Sequence, residues 1–141
     1  MDFENFVNLT DSEINEISFA FLQKVQELTN KEVIVYSDAS NAQNTFNQNI
    51  ANTYPLWVAE YGSTTPSTGN WNSYEGFQYS ESGNIPGING STDLDIFTQN
   101  IFLSSSQKIS TSPNTKNRII TYTVMPRKHI KPNCQYLQHN C

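Results

Sequence analysis

The first 104 residues of this 141-residue chain lack cysteine and hold very little positive charge. Both cysteines, Cys134 and Cys141, lie near the end of the chain. The first 104 positions contain 13 acidic residues and only two basic ones, Lys24 and Lys31, which gives this part a net charge of −11. Without thiols it has no disulfide or thiolate chemistry. Because so acidic a surface repels phosphate, we expect no nucleic-acid partner.

Long apolar runs are also missing. No stretch is long enough to span a bilayer, and no charged start followed by an apolar segment resembles a signal peptide. The hydrophobic and aromatic contents of 36% and 12% are nevertheless those of a sequence that buries a core. We therefore expect a soluble globular body at residues 1–104, a Ser/Thr/Asn-rich linker at 105–119 and a tail at 120–141.

The body alternates apolar runs typical of strands with a strongly periodic helical segment. Thr10 and Glu13 form a Thr-x-x-Glu capping box, which predicts a helix near residues 11–29. An apolar stripe continues it at spacings of three and four: Ile14, Ile17, Phe21, Val25 and Leu28. Parallel strands are predicted near residues 1–4, 32–36 and 56–61, with a shorter helix through Ala42, Phe46 and Ile50 and two further short strands at 77–79 and 91–94. This order predicts an α/β sheet or barrel.

Asp2 and Glu4 are the first candidates for chemistry. Two residues apart on a strand, they share one face, with backbone origins about 6.5–7 Å apart. Glycoside hydrolysis uses such a pair, one carboxyl protonated to assist the leaving oxygen and one ionised to stabilise or attack the developing cation. Alone, however, Asp-x-Glu is a common pattern, and a solvated acidic end is the simpler interpretation.

The motifs that follow this pair in the chain change that interpretation, because their order resembles that of glycoside hydrolase family 25. The resemblance covers residues 1 to about 103. It rests on Asp-Phe-Glu at 2–4, Val-Ile-Val-Tyr at 33–36, Leu-Trp-Val-Ala-Glu-Tyr-Gly at 56–62, Phe-Gln-Tyr with a Gly-rich turn from 77, and Asp-Leu-Asp at 93–95. Two departures are Phe77, where that family usually has Trp, and Asp95, where it often has Asn. We interpret both as tolerated.

The resemblance implies a lysozyme that cleaves peptidoglycan between N-acetylmuramic acid and N-acetylglucosamine, on an incomplete TIM-like β/α barrel comprising strands four to eight of eight. Glu4 would be the general acid, and Asp2 and Asp93 the supporting carboxylates. The sugar would be bound by Tyr36, Tyr61, Gln78 and Tyr79. For each tyrosine, half-buried packing is an equally good interpretation. Gln78 could instead form hydrogen bonds with backbone groups. Trp57 is predicted to fill the barrel. Asp38, Glu60, Glu75 and Glu81 are predicted to be solvated charge.

The resemblance implies peptidoglycan glycan strands as the partner, with no metal, cofactor or membrane span. The expected location is the cell wall or the exterior, or the cytoplasm until release for a phage-derived enzyme. Because three strands and a first-strand Asp of the family would be missing, we expect weak or no activity. A non-catalytic remnant with some glycan affinity is the alternative.

The tail has two interpretations. Its His129, Cys134, His139 and Cys141 contain zinc-ligand residue types, but their spacing matches no familiar structural site. A tail-driven metal-binding or anion-binding protein is therefore the less favoured hypothesis. Residues 120–124 resemble instead the opening strand of a LysM peptidoglycan-binding module. The pattern stops at Pro126. When residues 125–141 are back-translated to codons and one base is removed, the new reading frame encodes a sequence that continues the LysM pattern. We therefore hypothesise a truncated or frame-shifted LysM start.

Overall fold

The computed structural model describes residues 1–102, and its longest helix, α1 (Asp11–Thr29), starts at the predicted capping box. Thr10 Oγ1 accepts a hydrogen bond from the Glu13 amide at 3.3 Å, and Glu13 Oε2 accepts one from the Thr10 amide at 2.8 Å. The helix ends at Asn30, which adopts the left-handed conformation with φ 51°. The predicted helix at residues 11–29 is confirmed, because its start and stop are encoded locally.

The buried face of α1 differs from the predicted stripe. Ile14, Ser18 and Leu22, each four residues apart, lie at 2% exposure or less. Ile17, Phe21 and Leu28 are 49%, 52% and 74% exposed, so the prediction of one continuous apolar face is wrong for these three residues. At 3.6 residues per turn, positions 14, 18 and 22 face the sheet, and positions 17, 21 and 28 lie to one side of that line.

Four strands form one sheet in the order β1 (Val35–Asp38), β2 (Leu56–Ala59), β3 (Gly76–Gly83) and β4 (Thr92–Phe97). Two short helices, α2 (Ala39–Asn44) and α3 (Gln48–Thr53), connect β1 to β2, and a 3-10 helix (Gln99–Phe102) follows β4. The pairs β1/β2 and β2/β3 are parallel. The α/β class and the parallel arrangement of the strands near 32–36 and 56–61 are therefore confirmed.

Strand limits differ from those predicted. β1 is displaced from residues 32–36 to Val35–Asp38, and the strand predicted at 1–4 is a single parallel bridge between Asp2 and Tyr36. β4 is antiparallel to β3. The connection between them, residues 84–91, is too short for the crossover that a parallel pair requires, so the sheet departs here from a regular β/α barrel.

The two faces of the sheet have different chemistry. The helix side carries Val35, Leu56, Val58 and Phe77, which pack with Ile14, Leu22, Phe46 and Ile50 in the apolar core. The opposite face, called here the polar face, carries Tyr36, Trp57 and Phe97, which form one row across the sheet through Gly76, and Gln78 and Asp95, which pair with each other in the next row. Among residues 1–102, no helix is long and apolar enough to cross a membrane.

Candidate active site

The segment with Asp2 and Glu4 is joined to the sheet by one bridge and to the core by Phe3. Asp2 forms the bridge to Tyr36, whose amide donates a 2.8 Å hydrogen bond to the Met1 carbonyl. The Phe3 ring lies 4.9 Å from Phe6, and the Phe6 ring lies 6.0 Å from the buried ring of Phe46. These ring contacts anchor Phe3 to the core. Asp2 and Glu4 are both exposed, and Asp2, the bridge partner of Tyr36, lies on the polar-face side of the sheet.

Two of the predicted sugar-binding tyrosines share one acceptor. The hydroxyl of Tyr36 donates to Gln78 Oε1 at 2.7 Å, and the hydroxyl of Tyr61 donates to the same oxygen at 2.8 Å. Gln78 is 3% exposed, in the middle of β3. A buried amide oxygen has two lone pairs, and both are used here. The structure therefore brings Tyr36, Tyr61 and Gln78 into one cluster on the polar face.

The electrostatics of Tyr36 connect this cluster with the candidate carboxylates. Burial, and then the charges of Glu4, Tyr61, Asp2 and Asp93, raise the pKa of the Tyr36 phenol well above its usual value. Each negative charge near the hydroxyl disfavours the phenolate, and the Coulomb interaction between two charges weakens as the distance between them grows. Tyr36 is therefore neutral, and it is within electrostatic reach of all three predicted carboxylates.

Asp93 reaches that region because β4 runs backwards. In an antiparallel pair the start of β4 lies beside the end of β3, and Thr92 is in register with Gly83. Asp93 is thus at the carboxyl end of the parallel strands, the end toward which Asp2 and Glu4 also extend beside β1. This is the end at which enzymes with β/α folds assemble their sites.

Tyr79 is not brought into the cluster. It packs, half-buried, against the core, with its ring 6.2 Å from that of Phe77. Gln78, the residue between Phe77 and Tyr79, is the one that takes part in the polar face. The structure thus shows the half-buried packing that was the alternative interpretation of Tyr79. Sugar contact by Tyr79 remains a prediction.

Asp95 was not singled out from the sequence as a functional residue, yet it is the most buried carboxyl group on the polar face. It is 1% exposed, and its Oδ1 accepts a 2.8 Å hydrogen bond from the Trp57 indole nitrogen. Burial, opposed by that hydrogen bond and reinforced by the charge of Asp93, raises the pKa of Asp95 to about 6. One sequence signal was available: position 95 is two residues from Asp93 on a strand, and thus on the same face.

Trp57 fills the polar face as predicted, but with a polar anchor. Its ring centroid lies 5.0 Å from Tyr36 and 5.1 Å from Phe97, both edge-on. The rings of Trp57 and Phe97 pack directly over Gly76, because this residue has no side chain. An added Cβ would come within 2.7 Å of Trp57 Cδ1 and 2.5 Å of Phe97 Cε1. An indole nitrogen needs an acceptor when buried, and Asp95 supplies it.

Three of the carboxylates predicted to be solvated charge have structural partners instead. Asp38 caps α2, accepting from the Asn41 amide at 3.0 Å. Glu60 accepts from the Ser67 amide at 2.6 Å, and Glu75 accepts from the Thr98 hydroxyl. Such charge-assisted bonds tie loops to strands. Glu81 is exposed.

The predictions for the tail lie outside the described residues. They are the linker at 105–119, the LysM resemblance and the zinc set at His129, Cys134, His139 and Cys141. Within residues 1–102, no group of three or more His, Cys, Asp or Glu residues is arranged to hold a metal ion.

Carboxylates and tyrosines at the carboxyl end of a largely parallel sheet are consistent with an α/β protein of the glycosidase class. The family model for glycosyl hydrolases family 25 matches residues 1–88, and the chain belongs to that family. It is 38% identical over 95 residues to the autolytic lysozyme of Clostridium acetobutylicum, an alignment covering 66% of this chain and 28% of that protein.

Solved structures have the same fold. A bacterial lysozyme from Streptomyces coelicolor superposes with a TM-score of 0.59 at 24% identity, covering 68% of this chain and 48% of that one. The CTP1L endolysin superposes with a TM-score of 0.56 at 31% identity, covering 63% of this chain and 32% of that one. The chain thus spans less than half the length of each of these three proteins.

Proposed function

We propose that this chain supplies the substrate-cleaving face of a peptidoglycan hydrolase, a muramidase acting on the bond between N-acetylmuramic acid and N-acetylglucosamine in the cell wall. The segment of the Asp2 bridge and the four strands would correspond, in this order, to positions four to eight of the family's barrel. Glu4 would protonate the glycosidic oxygen, and Asp2 and Asp93 would stabilise the positive charge that develops on the sugar ring. Tyr36, Tyr61 and Gln78 would bind the glycan.

One observation carries this proposal. Tyr36 is a neutral phenol within electrostatic reach of Glu4, Asp2 and Asp93, and its hydroxyl is already oriented by Gln78. A sugar ring placed over Tyr36 would therefore meet a general acid and two negative charges together. Glycosidases need this combination, because their transition state resembles an oxocarbenium ion.

Glycan binding without cleavage is the second candidate. Asp2 and Glu4 are exposed, and one bridge joins their segment to the sheet. A general acid acts well only when its surroundings hold it within about half an ångström of its place. Weak or absent activity together with retained affinity for the wall would follow from that exposure.

Wall clearance by the full chain tests both candidates. Glu4→Gln is the informative variant, because it keeps the shape and removes the proton donor. The matched control is Glu16→Gln, on an exposed position of α1. A muramidase is expected to lose about 10²- to 10⁴-fold in rate with Glu4→Gln and nothing with Glu16→Gln, and its products should carry muramic acid at their new reducing ends.

Two outcomes would count against a muramidase. Clearance that is equal in wild type and Glu4→Gln would reject the general acid. No clearance, together with sedimentation of the chain with purified walls, would support glycan binding instead.

A further inference from the structure

Asp95 combines burial with an incomplete set of hydrogen bonds. Its side chain is 1% exposed. Oδ1 accepts from the Trp57 indole at 2.8 Å, whereas Oδ2 is buried and has no hydrogen-bond partner among the described residues. A carboxylate in such a place has lost its water and gained one donor, so its charged form is disfavoured. A proton on Oδ2 removes the charge and leaves a neutral hydroxyl, whose burial costs less than that of a carboxylate.

Trp57 transmits the position of Asp95 to the tyrosine cluster. The indole is held between the rings of Tyr36 and Phe97, at 5.0 and 5.1 Å, and its nitrogen bonds only to Asp95. Gly76 leaves no free volume beneath the ring. A shift of the indole therefore moves the Tyr36 ring, whose hydroxyl is fixed to Gln78.

We propose that Asp95 is a positioning residue, which fixes the Trp57 ring against that of Tyr36 and, by gaining or losing a proton, changes the charge beside Asp93. This inference rests on the proposed function, since Tyr36 and Asp93 are assigned there to substrate. With Asp95 neutral, the closed packing around Trp57 is retained and Asp93 has no charged neighbour on its own strand. With Asp95 ionised, Oδ2 requires water or a donor, which the packed face supplies only by opening.

The charges around Asp95 do not compensate its ionisation. Asp93 lies on the same strand, and the opposing residue on β3 is the uncharged Gln78. Tyr61 follows β2, Tyr36 lies on β1, and Asp2 and Glu4 lie beside β1. The only lysines of the described part, Lys24 and Lys31, lie in α1 and just after it, and both are exposed. Ionisation therefore adds a further negative charge to a face that already carries several.

A neutral amide would preserve the contact but not the response. Asn has the shape of Asp, and its oxygen can accept the same bond from Trp57. Asp95→Asn therefore separates the hydrogen bond, which it keeps, from the proton, which it removes. A purely structural Asp95 predicts that this variant behaves like wild type at every pH.

The indole N–H signals of the full chain in a proton–nitrogen NMR spectrum test the first half of the inference. The chain has two tryptophans. Trp71 donates to the Tyr54 carbonyl at 2.7 Å, an acceptor that does not titrate, and serves as internal control. The Trp57 signal, assigned with Trp57→Phe, is expected to shift with a midpoint near pH 6, whereas the Trp71 signal stays constant.

Two variants make that test specific. Asp95→Asn should abolish the Trp57 titration. Asp93→Asn should retain it at a lower midpoint, because the charge that helps to raise the pKa of Asp95 is gone. A Trp57 signal that does not titrate in wild type, or that titrates equally in Asp95→Asn, overturns the inference.

Wall clearance tests the second half. The ratio of kcat/KM for Asp95→Asn to that for wild type should rise as the pH passes about 6, because the variant keeps its closed face when Asp95 would ionise. A ratio independent of pH overturns the link to the reaction. If neither protein clears walls at any pH, the proposed function fails, and the indole titration still decides whether Asp95 controls Trp57.

Discussion

Tyr36 and Tyr61 donate their hydroxyl hydrogens to the same oxygen of Gln78, at 2.7 and 2.8 Å. Tyr36 belongs to β1 and Tyr61 follows β2, so one amide on β3 orients hydroxyls from two other parallel segments of the sheet. The polar face is thus preorganised before any sugar is bound, and its geometry depends on the register of the sheet.

Removing that acceptor should be costly. Gln78→Ala leaves two hydroxyls without their shared partner, and we expect a loss of about 1–3 kcal/mol in the free energy of unfolding. Urea denaturation measures it. Gln23→Ala, at an exposed position of α1, is the matched control and should change stability by less than about 0.5 kcal/mol. Equal stability of the two variants would show that the tyrosines find other acceptors.

Asp95 should make the fold less stable as the pH rises. Its folded-state pKa of about 6 lies above its ordinary value of 3.8, so the folded state holds the proton more tightly. This contribution is fully present below about pH 4 and is lost as the pH rises through about 6, with an upper limit of about 3 kcal/mol. Urea denaturation of wild type and Asp95→Asn between these values should diverge, whereas Glu16→Gln follows wild type.

The capping box of α1 should contribute measurably on its own. Thr10→Ala removes the side-chain acceptor of the Glu13 amide, and we expect a loss of about 0.5–2 kcal/mol. Hydrogen bonds from the Thr10 backbone and hydroxyl lower the pKa of Glu13, so their stabilisation is present above its unfolded pKa and is lost in acid. Ser12→Ala, an exposed position in the same turn, is the control. Circular dichroism during urea unfolding at neutral and acid pH measures both effects.

Gly76 should tolerate no side chain. The Cβ of Gly76→Ala would meet Phe97 Cε1 at 2.5 Å and Trp57 Cδ1 at 2.7 Å, and both belong to packed rings. We expect about 1–3 kcal/mol of destabilisation from overpacking, together with a changed Trp57 fluorescence. Ser73→Ala, exposed and just before β3, should leave both unchanged. An unaltered Trp57 emission in Gly76→Ala would mean that the strand shifts rather than the rings.

The parts of this structure that the sequence predicted are those with local causes. The capping box lies within four residues, and the helix that it starts was predicted with its observed bounds. Trp57 and Asp95 are 38 residues apart, and Tyr36 and Gln78 are 42 apart. Those contacts depend on strand register, which no local pattern encodes. The start of β1 was missed for a related reason, since Val33 and Ile34 have strand-forming side chains but the ladder with β2 begins at Val35.

The single bridge between Asp2 and Tyr36 has a consequence for local opening. β3 and β4 are joined by a short connection and pair along most of their length, whereas residues 2 and 36 are brought together across the whole of α1. Closing the longer loop costs more entropy, and one bridge returns little of it. Amide hydrogens of residues 2–4 should therefore exchange with solvent far sooner than those of β3. Mild warming would then release Glu4 from its neighbours while the sheet beneath it remains folded.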